Sequence, residues 1–570
     1  MHEQTQVLIV GGGPTGLLAS ILLSKYEIAH ILVEQRETTL KAPAAHVVNT
    51  RTMEIYRQAG IDVDKLYRLN NHPNARYVRW NSRLQNESIG VFDAAENRAT
   101  IMAQTHYSNE HTTNISQHLL EAFLREQAQK SEFADIRYAT TWREFASSDQ
   151  LVSTVQGERG QSNIHHSFLL AADGAGSPVA RALDIKKVGP DAIATFLNLT
   201  CEVDLSAESS ESETLLYWLL DPEVQGTVIV HDPQHLVVYM RPLAVPYESI
   251  DDFDEARCES ILNRVFAQTP YKIRHKGVWK MTAQVADKFR VGSVFGVGDS
   301  VHRFPPTGGL GLNTGVGDVH NLVWKLAAVI NNKVTGDQAE ALLDSYEIER
   351  RPVAQRNCDV SKRNNDKMIE VIQALGLDPT KAQMLPKIMN SAVVRILPKS
   401  FQAGIYRVLV KPVKKILSNA ENQETGQAVR ERVARAIANQ KEHFSSLGLD
   451  LGYVYREGCA VDALAERTQG SEVSTYNEVV GSGARLPDRQ LTSDMGAGDT
   501  ETKKRLHELL DYTRFTVFAS GSHSIELPDT FGLRTQIAHI PADTLTQLGL
   551  DPDAWVLVRP DGHVMAVGSQ

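Results

Sequence analysis

At three places in this 570-residue chain a short apolar run ends in a glycine-rich turn that contains or precedes an acid. Gln6–Val10 (QVLIV) leads into Gly11, Gly13 and Gly16, spaced as G-x-G-x-x-G, with Pro14 suited to a first helical position. Ser167–Ala172 (SFLLAA) leads into Asp173-Gly174-Ala175-Gly176, and Val294–Val297 leads into Gly298-Asp299. A further run, His30–Val33, ends in Glu34. Glycines without a Cβ let backbone approach a phosphate, the helix after them turns free N–H groups toward it, and an acid one strand away accepts from a ribose hydroxyl. That is the chemistry of binding a dinucleotide.

The segment after Asp299, VHRFPPTGGLGLNTGVGDVHNLVWKLAAVI, adds a second anion-compatible feature. Pro305 and Pro306 fix a wall, the glycines allow close approach, and a helix is expected from about Asn313 to Ile330. Val316, Val319, Leu322, Val323, Leu326 and Ile330 mark its buried face. A helix N-terminus stabilises an anion by ~0.3–2 kcal/mol, which suits a large, flat, partly anionic ligand. The fingerprint alone does not choose between NAD and FAD. A dehydrogenase would show one fingerprint and a separate catalytic domain, and a disulfide-reductase-like flavoenzyme would show a second G-x-G-x-x-G; neither pattern is present.

Other elements must position these turns. Between Lys186 and Thr282 the pattern is strand-like, at Leu215–Leu220, Thr227–His231 and Leu236–Arg241, with turns at Asp221-Pro222 and Asp232-Pro233. An antiparallel sheet is expected there as a roof over the ligand. Tyr217, Trp218, Tyr239, Met240 and Trp279 are candidates to line an aromatic pocket, and Arg241, at a strand end, for a polar contact. His231 and His235 are separated by Pro233 and have no third ligand nearby, so no metal site is expected. Residues 361–450 read as helical. Within them Arg395–Leu417 is basic and amphipathic, and Pro398 and Pro412 should break it into a covering or oligomer-contact segment, with a homodimer as one assembly this allows. From about Gly452 strands return, including Phe515–Ala519 and Ala554–Val558.

The net charge of -10 argues against a nucleic-acid partner. Cys201, Cys258, Cys358 and Cys459 are far apart and form no CxxC, which fits a reducing compartment rather than zinc or disulfides. With no signal-like N-terminus and no long apolar run, the sequence is expected to be cytoplasmic, without a membrane span.

GGGPTG with Glu34, AADGAGSPVAR and GVGDSVHRFPPTGGLGLNTG together resemble the single-component FAD-dependent aromatic hydroxylases, through about residue 360. HVVNTRTMEIYRQAGI is most similar to the phenol-type monooxygenases among them. The resemblance implies an α/β fold: a Rossmann-like FAD-binding domain in two parts (1–185 and 286–365), an antiparallel-sheet substrate domain (186–285), a helical segment (366–451) and a thioredoxin-like domain (452–570) without CxxC. It implies that noncovalent FAD is reduced by NADPH or NADH and, through a flavin hydroperoxide formed with O2, hydroxylates a small phenolic substrate next to its hydroxyl. Gly11, Gly13 and Gly16 would hold the pyrophosphate and Glu34 the adenosine ribose. Gln117 would reach the flavin side, Asp173 would lie where FAD and the nicotinamide meet, and Asp299 would bind the ribityl or pyrophosphate end. Pro306 would sit beside the ring, with the backbone of Gly311, Leu312 and Asn313 at its pyrimidine edge. His46 would be the base that takes the phenolic proton. One departure stands out: the arginine usual in the family is Ala44 here, with only Lys41 nearby, so looser FAD retention is expected. The motifs also allow a Baeyer–Villiger or epoxidising oxygenase, or a non-catalytic FAD-binding sensor. A halogenase would carry W-x-W-x-I-P, which is absent.

Overall fold

The structure is a computed structural model that describes residues 2–94, 107–147, 151–206, 213–378, 384–458, 470–491, 504–521 and 527–569. Its first sheet is built from the apolar runs. The parallel strands Val294–Gly296, Gly160–Ala171, His2–Val10, His30–Val33 and Ala134–Arg137 lie side by side in that order. All four residues of His30–Val33 are buried, as a strand covered on both faces requires. Register aligns the strand ends: Val10 pairs with both Ala171 and Val33, and Ala171 with Gly296. The turns beginning at Gly11, Glu34, Ala172 and Val297 therefore leave the sheet together at its carboxyl edge, where open α/β sheets bind ligands.

Two helices start from this edge, Pro14–Lys25 and Leu310–Ile330. The second begins one turn earlier than Asn313, because Gly309 takes a left-handed φ of 64° and serves as its N-cap. The pair packs through glycine: a Cβ on Gly315 would lie 2.7 Å from Thr15 Oγ1 and 3.0 Å from Gly298 Cα.

The second sheet has seven strands in the order Tyr271–Met281, Ala194–Val203, Leu236–Leu243, Gly226–Asp232, Thr214–Leu219, Tyr77–Asn81 and Ser88–Asp93. It draws its last two strands from outside residues 186–285, and Tyr77–Asn81 pairs parallel to Thr214–Leu219, so the sheet is mixed. Alternation gives it two unlike faces. Leu197, Leu199, Tyr217, Leu219, Val228, Val230, Val237 and Tyr239 form a sealed core with the helix Glu255–Val265. Tyr217 and Tyr239 are thus core residues, whereas Trp218, Met240 and Trp279 lie on the opposite face.

Helix Lys399–Glu421 runs through Pro412, which corrects the expected break there; Pro398 is its N-cap. Pro412 is exposed and Val408, four residues earlier, is 72% exposed, so the turn whose hydrogen bond the proline removes lies on the solvent side of the helix. The C-terminal unit holds a mixed sheet ordered Thr535–His539, Phe515–Ala519, Ala554–Val558, Val564–Ser569, with the helix Ala542–Gln547. Its seam with the first unit is ionic and dry. Arg559 donates to both Glu349 oxygens at 2.9 and 2.8 Å, Lys325 Nζ lies 2.8 Å from Glu349, and Arg485 Nε donates to Glu54 at 2.9 Å. Cys201, Cys258 and Cys358 are buried thiols, while Cys459 lies outside the described residues.

Candidate functional site

The fingerprint glycines are required where they stand. A Cβ on Gly11 would fall 2.2 Å from Ala172 O, and one on Gly16 2.0 Å from Gly11 O. Beside Gly13 the same test meets nothing within 4 Å, which is the open space a ligand needs. Neither helix that starts here has a side-chain N-cap, so the first-turn N–H groups, including those of Gly311 and Leu312, are available to an anion.

Glu34 accepts from Gly12 N at 2.7 Å and from Arg36 N and Nε at 2.9 and 3.0 Å. Burial works to raise its carboxyl, but the bonds from Arg36 and Gly12 outweigh it and hold the group below the usual range, ionised and ready for a ribose hydroxyl. Tyr138, which no sequence motif marks, has a buried hydroxyl with no partner, 3.2 Å from where a Gly12 Cβ would be. Asp173 has one oxygen bound by Val179 N at 3.1 Å and the other buried and unpaired. Burial pushes this carboxyl up, against the bonds from Ser177 and Val179. Asp299 and Pro306 are exposed at the same edge, and Lys187 Nζ spans Ala175 O (3.1 Å) and Asp299 O (3.3 Å). Open glycine turns, uncapped helix starts and unpaired polar atoms on one sheet edge fit FAD. Gly11, Gly13, Gly16 and Glu34 would hold its adenosine end, with Asp299, Gly311 and Leu312 toward its ring.

Segment Ala45–Asn49 is pinned by three amide side chains. Gln117 Oε1 accepts from Ala45 N at 3.2 Å while its Nε2 donates to Glu121 at 2.9 Å. Asn114 Oδ1 lies 3.1 Å from His46 Nδ1. Asn313 Oδ1 accepts from Asn49 N (3.0 Å) and Thr52 Oγ1 (2.7 Å), and its Nδ2 donates to Val47 O (3.0 Å). The Asn313 side chain is therefore a structural tether, whatever its backbone does. Because the Asn114 oxygen only accepts, His46 carries its proton on Nδ1 and keeps a lone pair on Nε2. Burial lowers the His46 pKa, the Asn114 bond opposing.

Beside it stands His231, set aside in the sequence because no metal set surrounds it. Its ring meets that of His46 edge-on with centroids 5.2 Å apart, and its Nδ1 lies 2.8 Å from Ser116 Oγ. Burial drives His231 well below the ordinary imidazole range, with His46, His118 and His72 adding to it. Sequence offers no signal for this pairing, since Ser116 and His231 are 115 residues apart. Among the described residues no group of three or more potential ligands is placed to hold a metal. Arg241 is not brought to this place: it shares the helix-covered face with Tyr239 and forms a two-pronged pair with Glu248 at 3.0 and 3.3 Å.

The FAD binding domain family matches residues 4–361 of the chain. The 2,4-dichlorophenol 6-monooxygenase of Cupriavidus pinatubonensis is 30% identical over 400 residues, which cover 66% of this chain and 64% of that enzyme, so the match spans just under two thirds of its length. The phenol 2-monooxygenase of a Pseudomonas species is 26% identical over 593 residues, covering 98% of this chain and 89% of that enzyme. In three dimensions the flavin-dependent monooxygenase PieE, solved with FAD and substrate, superposes with a TM-score of 0.82 at 26% identity, covering 100% of this chain and 96% of PieE. No helix among the described residues is long and apolar enough to cross a membrane. With residues 4–361 matched, the chain belongs to the FAD-binding-domain family that contains the single-component flavin monooxygenases, and FAD is its cofactor.

Proposed function

We propose that this protein is an NAD(P)H-dependent monooxygenase that hydroxylates a phenolic ring next to its hydroxyl, with His46 as the base. The observation that carries the reading is the bare Nε2 of a pinned His46, on the segment between the FAD cradle and the second sheet. FAD, when bound and reduced, supplies the activated oxygen. The chain's own residues do the rest: the sheet face bearing Met240 and Trp279 offers an apolar wall, and the Ala45–Asn49 segment holds a proton acceptor in place.

Magnitudes constrain when the proton moves. Phenol has a pKa near 10 and imidazole about 6.5, so complete transfer beforehand would cost about 5 kcal/mol. Burial lowers His46 further and widens that gap. His46 therefore takes the proton as the ring attacks, when the hydroxyl becomes far more acidic, and Asn114 stabilises the imidazolium through Nδ1–H. NAD(P)H oxidation by the FAD-loaded protein, screened across phenols with product mass measured, tests the reading. Stimulated oxidation with an ortho-hydroxylated product is expected; tight FAD with no turnover on any phenol would leave a binding protein.

A further inference from the structure

The helix Lys399–Glu421 has two apolar faces, and only one of them is covered. Val413, Leu417 and Ala420 pack with Trp80 of the second sheet and with Ile437 of the helix Gln427–Ala438, and Val410 on the same side is buried. On the opposite side Phe401 and Val408, two turns apart, are 65% and 72% exposed. Between them a Cβ on Gly404 would meet nothing within 4 Å, and the space continues as an open groove lined by Phe401, Ile405, Val408 and Leu409. Exposed apolar side chains continue into the residues before the helix, at Val393 and Ile396. One exposed apolar residue is ordinary, but a run of them on one segment marks a surface that binds something.

Charge selects the occupant. Between Asp378 and Glu421 the sequence holds eight Lys or Arg and no Asp or Glu, in a chain whose net charge is -10. Arg407, Lys411 and Lys415 follow one another at intervals of about one turn beside the apolar face, all exposed, and none of them forms an ion pair among the described residues. Lys414, by contrast, is answered by Glu223 at 2.7 Å. Long basic side chains lay their stems along apolar surface and keep their charged ends at its rim. Apolar side chains flanked by unanswered cations match the boundary layer of an anionic bilayer, whose acyl edge takes up Phe and Val while its headgroups meet Lys and Arg. A second copy of the chain matches less well, because a two-fold contact sets this segment against itself and the segment has no acid to meet its lysines. A helix that lies on a membrane needs no spanning length, in keeping with the absence of any described helix able to cross one.

We propose that the exposed face of Lys399–Glu421 docks the protein on an anionic membrane surface, with Phe401 and Val408 entering the acyl boundary and Arg407, Lys411 and Lys415 meeting the headgroups. The docking goes beyond the hydroxylase chemistry and does not depend on it, since none of these residues belongs to the cofactor cradle.

The test is co-sedimentation of the FAD-loaded full chain with vesicles of phosphatidylcholine alone and of phosphatidylcholine mixed equally with phosphatidylglycerol. The parent should partition onto the anionic vesicles at least tenfold more strongly, and the preference should shrink as salt rises from about 0.05 to 0.5 M. A basic residue near an anionic surface contributes roughly fivefold, so Lys411→Gln with Lys415→Gln should weaken anionic binding about 25-fold and leave phosphatidylcholine binding within twofold. Phe401→Ser with Val408→Ser should weaken anionic binding at least tenfold. All four side chains are exposed, so both double variants should keep the FAD content and NAD(P)H oxidation of the parent; Lys415→Gln and Val408→Ser alone replace them should either lose FAD. No binding to anionic vesicles, equal binding to both kinds, or variants that bind as the parent does would overturn the proposal. So would a dimer in sedimentation analysis that Phe401→Ser with Val408→Ser dissociates while vesicles are ignored, which would give the face to a second copy.

Discussion

Replacing His46 by alanine isolates the proton step, because beyond its edge-on contact with the His231 ring its side chain holds little of the site together. Its one hydrogen bond is to Asn114, and Ala45 and Val47 on either side stay tethered through their backbone to Gln117 and Asn313. FAD content should therefore match the parent. General-base assistance is worth ~10²–10⁴-fold, so single-turnover hydroxylation near pH 7 should slow by about that factor. The sign of the pH dependence comes from burial, which keeps the His46 pKa below its ordinary value. The parent should hold its full rate down to about pH 6.5 and lose it only below, as His46 protonates. The variant should instead gain rate toward about pH 10, where the phenol ionises unaided, and the gap between the two should close. Asn114→Leu gives an intermediate case. It removes the acceptor of Nδ1–H and, at ~1.5–3 kcal/mol for a bond to a charged group, should cost roughly 10- to 150-fold while moving the acid limb lower. Stopped-flow mixing with product quantified by mass spectrometry reads all three proteins. A His46→Ala protein that hydroxylates at the parental rate from about pH 6 to 8 would remove His46 as the base.

Glu34→Ala removes an ionised acceptor that also bonds Gly12 N, and FAD affinity measured by equilibrium dialysis should fall roughly 10- to 100-fold; unchanged affinity would take Glu34 out of the site. Arg559→Met leaves Glu349 and Asp561 buried with fewer partners, and breaking such pairs costs ~3–5 kcal/mol. Its urea midpoint should drop sharply, and a chain ending before residue 452, which also loses Arg485 beside Glu54, should aggregate; a soluble, FAD-binding truncation would contradict the sealed seam. Burial holds the His166 and His563 pKa values near 4, below the unfolded value of about 6.5. The unfolded chain thus takes up more protons between those limits, and this contribution, whole above about pH 6.5, is lost as pH falls toward 4. The urea midpoint should accordingly be lower at about pH 5 than at pH 7.5, and His166→Gln should flatten that slope.

What the sequence makes legible is what short-range chemistry dictates. Buried parallel strands read as apolar runs, and Gly11 and Gly16 stand where any side chain would collide with backbone, so the cradle is visible in the spacing of residues. Strand alternation is legible too, but its phase is not. That Tyr217 and Tyr239 rather than Trp218 and Met240 join the core under the helix Glu255–Val265 depends on where that helix lands. Long-range pairing is hidden for the same reason. Tyr77–Asn81 and Ser88–Asp93 join the second sheet across more than a hundred residues, Ser116 meets His231, and the Asn313 side chain grips Asn49 from 264 residues away. Pro412 shows a local rule yielding to context, since the helix Lys399–Glu421 continues through it on an exposed face.

The central claim is that one oxygen atom from O2 is placed on a phenolic ring at the expense of NAD(P)H. Its most direct test supplies isotopically labelled dioxygen to the FAD-loaded protein with NADPH or NADH and the phenol that most stimulates its oxidation. The expected product carries a single labelled oxygen atom, on the carbon next to the original hydroxyl, formed in proportion to the NAD(P)H consumed. Reduced nicotinamide consumed with all the labelled oxygen recovered as hydrogen peroxide and none in an aromatic product, across the whole panel of phenols, would contradict it.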